Sequence, residues 1–322
     1  MKLTPQGTSK KKMTTLFFTH PVCLEHDTGD YHPECADRLR AVLNALEAEE
    51  FASLQREEAP QVTREQILRA HCPHHIEEFL AIEVAPGEHH YVDPDTVMSS
   101  KTIEAALRSA GAVVAAVDMV AAGQARNAFC AVRPPGHHAE RDASMGFCFL
   151  NNAAIGALHA RDVHGFKKVA VIDFDVHHGN GSQQILWDEP GILYGSTHQE
   201  HAYPNTGLAH ETGGQGRMVN VPLAAGTGSD DFRQAFDDIL LHKLREFGPD
   251  FIIISAGFDA HAQDPLAHLR LKTSDFRWAT DKLVDVAAET AGNRIVSVLE
   301  GGYEPAALAA SVKEHVRALM GH

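Results

Sequence analysis

No stretch of this 322-residue chain is apolar for long enough to cross a bilayer as a helix, so a membrane partner is not expected. The start is polar and ends in Lys10-Lys11-Lys12, without the apolar core of a secretory signal. Residues 1–12 are expected to form a flexible tail or an added leader ahead of one domain over residues 13–322. Cysteine is scarce. The five residues Cys23, Cys35, Cys72, Cys130 and Cys148 form no Cys-x-x-Cys pair and are odd in number, which argues against a disulfide framework and for a reducing cytoplasm. Cys130 and Cys148 sit in apolar surroundings and are expected in the core. Basic patches are missing beyond the N-terminal lysines, and the formal net charge is −15, so no nucleic-acid partner is expected. The acidic surface suits cationic partners, although solubility alone also explains it. Internal repeats and low-complexity tracts are absent too. The sequence leaves self-association into a homo-oligomer open.

What is present is an alternation. Apolar runs of strand length, such as Val169–Ile172, Phe251–Ser255 and Ile295–Leu299, are separated by stretches with helical spacing, the signature of βαβ units and a parallel sheet. Helices are predicted over residues 101–122, 151–164, 229–247, 274–289 and 305–319. The first is Ala- and Val-rich and should be buried on most sides. In the third, Phe232, Phe236, Ile239, Leu240, Leu244 and Phe247 form one apolar stripe, with Ser229 as its N-cap. The first hundred residues are less regular, with loops rich in histidine and proline.

The most informative segment is Asp173-Phe174-Asp175-Val176-His177-His178-Gly179-Asn180-Gly181, which directly follows the apolar run Val169–Ile172. Carboxylates and imidazoles beside a buried strand are costly unless paired or bound to metal. Alternate strand residues share a side, so Asp173, Asp175 and His177 converge if the extended geometry persists. Asp-x-His suits a divalent ion, zinc first. A second segment, Arg133-Pro134-Pro135-Gly136-His137-His138, fixes an irregular loop presenting adjacent histidines, a poor chelate but a good pair of proton-transfer groups. Two later apolar runs lead into Gly257-Phe258-Asp259-Ala260-His261 and Glu300-Gly301-Gly302-Tyr303. Each fragment alone also fits a helix cap or a packed turn. Together they bring Asp, His and Tyr to the carboxyl ends of parallel strands, where α/β sheets bind ligands.

These motifs, with Gly146-Phe147-Cys148-Phe149-Leu150-Asn151-Asn152, His32-Pro33-Glu34 and Asp37-Arg38-Leu39, stand in an order that resembles the histone deacetylase family. That family includes bacterial histone deacetylase-like amidohydrolases and acetylpolyamine amidohydrolases. The resemblance runs from about Phe17 to the C-terminus. It implies an α/β, single-domain, arginase-like fold with about eight mainly parallel strands covered by helices on both faces. It also implies a hydrolase that removes acyl groups from amine-derived amides, most readily acyl-lysine. One zinc ion, or ferrous iron in its place, would sit on Asp175, His177 and Asp259. His138 would be the general base, His137 its electrostatic partner and Tyr303 the oxyanion donor. Asp173 would pair with His137 and contribute to a structural potassium site with Ser196, Thr197 and the backbone of Asp175 and His177. Asn180 would orient His138; many relatives carry aspartate there, and a neutral amide raises imidazole basicity less. Gly146 and Phe147 would form one wall of a substrate tunnel, with Ala202-Tyr203-Pro204 opposite and Leu266 at the mouth.

Other readings remain. A binuclear manganese ureohydrolase would share the fold, but Gly179 offers no ligand for a second ion. An acetylpolyamine amidohydrolase would share the chemistry. Polyamine-selective relatives carry glutamate after the Asp-Pro pair, where this chain has Leu266 after Asp264-Pro265. A non-catalytic metal-binding scaffold is the third.

Overall fold

The computed structural model describes residues 14–322, so the expected tail over residues 1–12 lies outside the described residues. Ten strands are present among them: β1 Thr15–Thr19, β2 Gln55–Glu58, β3 His90–Tyr91, β4 Val97–Met98, β5 Asn127–Cys130, β6 Val169–Asp173, β7 Ile192–Gln199, β8 Met218–Leu223, β9 Phe251–Ala256 and β10 Ile295–Leu299. Eight of them form one sheet in the order β2-β1-β5-β10-β9-β6-β7-β8, and every pairing in it is parallel. Parallel strands need long crossovers and a cover on both faces. The central strands comply: β5, β6, β9 and β10 are buried at every residue. The edge strand β2, Gln-Arg-Glu-Glu, alternates between half-buried and exposed, as a strand with one open side permits. The hairpin β3–β4 stands apart.

The α-helices are α1 Ala36–Ala45, α2 Arg64–Ile67, α3 Pro73–Ala81, α4 Thr102–Ala121, α5 Asn152–Asp162, α6 Asn180–Leu186, α7 Ser229–Ala235, α8 His242–Phe247, α9 Thr273–Thr290 and α10 Pro305–Met320. Helices α4 and α5 pack together over β5, β6, β9 and β10, while α1, α9 and α10 form a second packed group. Small residues let α4 lie close: twelve of its twenty are buried, among them Ala105, Ala106, Ala110, Gly111 and Ala112. No helix among the described residues is long and apolar enough to cross a membrane.

Three local expectations are corrected. The predicted helix over 229–247 is broken by a π-helical segment, Phe236–Leu241, between α7 and α8. The extra residue per turn rotates the stripe, and Ile239 ends up 46% exposed while Phe236 and Leu240 stay buried. Ser229 is the first helical residue and not the cap, which is Gly228. The Ser229 hydroxyl instead donates to Asp275 Oδ2 on α9 at 2.7 Å.

Candidate active site and its metal centre

All four motif loops leave the carboxyl ends of neighbouring strands. The order β5-β10-β9-β6 places the Arg133–His138 loop, the Glu300–Tyr303 loop, the Gly257–His261 loop and the Asp173–Gly181 loop side by side. Strand geometry stops at Asp173, so the run does not converge as an extended chain. Asp173 turns to His137, accepting at Oδ2 from Nδ1 at 3.0 Å, and also accepts from the Tyr194 hydroxyl at 3.1 Å. Asp175 and His177 come together in the loop beyond.

Asp175, His177 and Asp259 form a buried cluster whose candidate ligand atoms lie within 4.8 Å of one another. His177 Nδ1 stands 3.1 Å from Asp175 Oδ1 and 3.1 Å from Asp259 Oδ2. Ligands about 2.0–2.2 Å from a tetrahedral ion are separated by roughly 3.3 Å, so this spacing fits a cation. Backbone N–H groups hold the carboxylates in place. Asp175 Oδ2 accepts from Gly301 at 2.8 Å, Asp175 Oδ1 from His177 at 2.9 Å and Asp259 Oδ1 from Val176 at 2.9 Å. A Cβ on Gly301 would run into Asp259 Oδ2, so only glycine lets this backbone come so close. Burial and the neighbouring Asp175 push the Asp259 carboxyl up to about 7. Burial disfavours a charged His177 as well, yet its bonds to Asp175 and Asp259 raise it to about 10. Two carboxylates thus crowd one proton, the position a divalent cation would take with release of that proton.

A second cluster, Asp118, His159 and His164, differs in spacing. The two Nε2 atoms lie 2.7 and 2.6 Å from one and the same oxygen, Asp118 Oδ1. That is hydrogen-bond length, too short for two ligands of one ion.

The histidine pair is split by its partners. Burial opposes charge on both rings. At His137 the fields of Asp175 and Asp173 and the Asp173 bond outweigh it and raise the imidazole to about 10. At His138 burial is reinforced by His137 and His177, which holds it well below the usual histidine range. Its Nδ1 faces Asn180 Oδ1 at 2.8 Å. Adjacent in sequence, with ring centroids 4.0 Å apart, the two rings therefore favour opposite protonation states.

The cavity, about 720 Å³, is lined by His138, Gly146, Phe147, His177, Tyr203, Leu266 and Tyr303 among others. Gly146 has φ +56°, and a Cβ there would strike the His138 ring. The Phe147 ring stands 5.9 Å from that of Tyr303, and Tyr203 stands 5.1 Å from His138. Leu266 is 41% exposed at the rim. Ser196 is the register partner of Asp173 across β6 and β7, and its hydroxyl meets His198 Nδ1 at 2.9 Å. Thr197 Oγ1 is buried without a hydrogen-bond partner.

Sequence reasoning missed the scaffold behind the site. Glu300 Oε2 accepts from the N–H groups of Gly136 and His137 at 2.7 and 3.2 Å, and Oε1 from the Ser255 hydroxyl at 3.1 Å. Arg38 donates to the carbonyls of Gly302 and Glu300, both at 2.5 Å, and its guanidinium lies 4.8 Å over the Tyr303 ring. A buried glutamate at the end of an apolar strand was the available signal for the first.

The sequence matches the model of the histone deacetylase domain over residues 32–319. It is 36% identical to histone deacetylase 14, chloroplastic, of Arabidopsis thaliana, over 95% of this chain and 77% of that protein. It is 38% identical to the histone deacetylase-like amidohydrolase of Pseudomonas aeruginosa, over 91% of this chain and 82% of that one. The crystal structure of the HDA15 HD domain superposes with a TM-score of 0.90 at 33% identity, covering 97% of this chain and 89% of that one. With this fold, this candidate metal cluster and these matches, the chain belongs to the histone deacetylase family, as an amidohydrolase of the zinc-dependent deacetylase class.

Proposed function

We propose that the enzyme removes acyl groups from acyl-lysine or a closely related amine-derived amide. The cavity carries the reading: one cavity is lined by the aromatic rings of Phe147 and Tyr203 together with His138, Tyr303 and the neutral Leu266. A zinc ion, or ferrous iron, held by Asp175, His177 and Asp259 would polarise the amide carbonyl and acidify a water molecule. His138 accepts the proton of the attacking water at Nε2, since Nδ1 is committed to Asn180. The water oxygen adds to the carbonyl carbon, the C–N bond breaks, and the amine leaves with the proton. His137, held charged by Asp173, stabilises the negative charge that develops. Tyr303 donates its hydroxyl to the oxyanion; burial keeps that phenol protonated, although Arg38 works the other way. Phe147 and Tyr203 suit an extended aliphatic chain between aromatic faces.

A potassium ion on Asp173, Ser196, the backbone of Asp175 and His177, and Thr197 belongs to the same reading, supported by the adjacency of Asp173 and Ser196. Five free cysteines are consistent with work in a reducing compartment such as the cytoplasm.

The acidic groups Asp30 and Asp95 beside the cavity favour a second reading, with an acetylpolyamine as substrate. Specificity constants for an acetyl-lysine peptide and for acetylspermidine separate the two. The peptide should be preferred by the wild type. Leu266→Glu should move the ratio toward the polyamine by about 1 kcal/mol or less, since the rim is solvent-exposed. Wild-type preference for the polyamine would make the second reading the leading one.

A further inference from the structure

Asn180 stands behind His138 as a neutral amide, and a neutral amide can face a histidine in either of two ways. With Oδ1 toward the ring, His138 Nδ1 donates and Nε2 keeps its lone pair. With Nδ2 toward the ring, Nδ1 accepts and the proton must sit on Nε2, where it blocks a base. Nothing within the Asn180–His138 pair decides between these states. Glu140 does. Its Oε1 lies 2.7 Å from Asn180 Nδ2, and a carboxylate only accepts. The Asn180 amide must therefore turn its N–H groups to Glu140 and its oxygen to His138. Met145 Sδ, a weak acceptor at 3.3 Å from the same Nδ2, favours the same orientation.

Glu140 is itself held firmly. Its backbone N–H donates to the Ala143 carbonyl at 2.9 Å, and its own carbonyl faces His71 Nδ1 at 2.8 Å. Its other carboxylate oxygen accepts from Gln184 Nε2 at 3.0 Å. Gln184 cannot turn over, because its Oε1 already receives the Arg141 N–H at 2.8 Å. Both oxygens of Glu140 thus meet donors of fixed orientation, and a glutamine at 140 would leave one donor facing another.

We infer that Glu140 is a positioning residue: by orienting the Asn180 amide it dictates which nitrogen of His138 carries the proton. The inference rests on the reading of His138 as the base. It implies a compensating pair. A lysine at 140 offers only donors, so it draws Asn180 Oδ1 toward itself and presents Nδ2 to His138. An aspartate at 180 has two acceptor oxygens and can serve the lysine and the His138 N–H together.

The test is steady-state kinetics on an acetyl-lysine peptide, with zinc stoichiometry measured for each protein. E140K should lower kcat roughly 10–100-fold, the usual cost of losing an orienting partner, with KM and bound zinc unchanged. E140K/N180D should recover to within about threefold of N180D alone, a rescue that a purely structural role for Glu140 does not give. E140A, which leaves the amide free to turn, should show a smaller fall in kcat and remains informative if E140K does not fold. E140K with wild-type kcat, or a double variant as slow as E140K, overturns the inference. H138A run alongside separates the two claims. An active H138A sinks the base assignment, whereas an inactive H138A beside an unimpaired E140K sinks only the role of Glu140.

Discussion

Glu34 accepts from Arg133 through both carboxylate oxygens, from Nε at 2.5 Å and from Nη2 at 2.8 Å, and its Oε1 also receives Arg38 Nη1 at 2.9 Å. All three side chains are buried. Burial alone would raise the Glu34 carboxyl, yet Arg133, His26 and Arg38 hold it well below the usual range. The triad joins the N-terminal loop to the start of the histidine loop through Arg133, and to the Glu300–Tyr303 loop through Arg38.

Breaking a buried ion network by removing one partner leaves an uncompensated charge in the interior. Glu34→Gln should therefore cost about 3–5 kcal/mol of stability, seen as a lower urea midpoint at unchanged m-value. A loss below about 1 kcal/mol would show that water reaches the two arginines.

Tyr303→Phe keeps the ring under Arg38 and the backbone N–H that donates to Asp264 Oδ2 at 2.6 Å. Only the hydroxyl goes. Turnover should fall roughly 10²–10³-fold while zinc content and thermal midpoint stay at wild-type values. A near-normal kcat would remove Tyr303 from the oxyanion role.

The core contains a histidine that stability should report. His315 lies between the Thr280 and Ser297 hydroxyls, at 2.7 and 2.8 Å. Burial lowers its pKa from 6.5 to about 3. The unfolded chain binds the proton first, so stability is full above pH 6.5 and drains away as pH falls toward 3. For this residue the loss between pH 7 and pH 5 should be about 2 kcal/mol. Burial depresses His71 to about 3 in the same direction. Urea midpoints measured across this window should fall with pH, and less steeply in His315→Gln. An equal slope in both proteins would mean that His315 does not take up a proton on unfolding in this range.

The parts of the molecule that sequence foretold are those with local causes. Buried parallel strands are continuous apolar runs, so β6, β9 and β10 were legible, and so was the placing of the motif residues just beyond their carboxyl ends. Edge strand β2 was not, because half-solvated strands need no apolar run. The π segment in 236–241 was hidden because an apolar stripe does not reveal where one extra residue enters a turn. Asp173 does not converge with Asp175 and His177 because the strand ends there, while its bond to His137 is the one the family resemblance implies. Glu140 escaped notice for another reason. Its role depends on the fixed orientation of Asn180 and Gln184, 40 and 44 residues away, and no pattern in one sequence encodes such a contact.

The central claim is single-metal amide hydrolysis at Asp175, His177 and Asp259. Its most direct test titrates zinc into chelator-stripped protein while acetate release from an acetyl-lysine peptide is followed. Activity should be absent at the start, rise linearly and level off at one equivalent, with no response in Asp259→Ala because three ligands leave no redundancy. A plateau at two equivalents, or undiminished turnover by the stripped protein, would contradict the account.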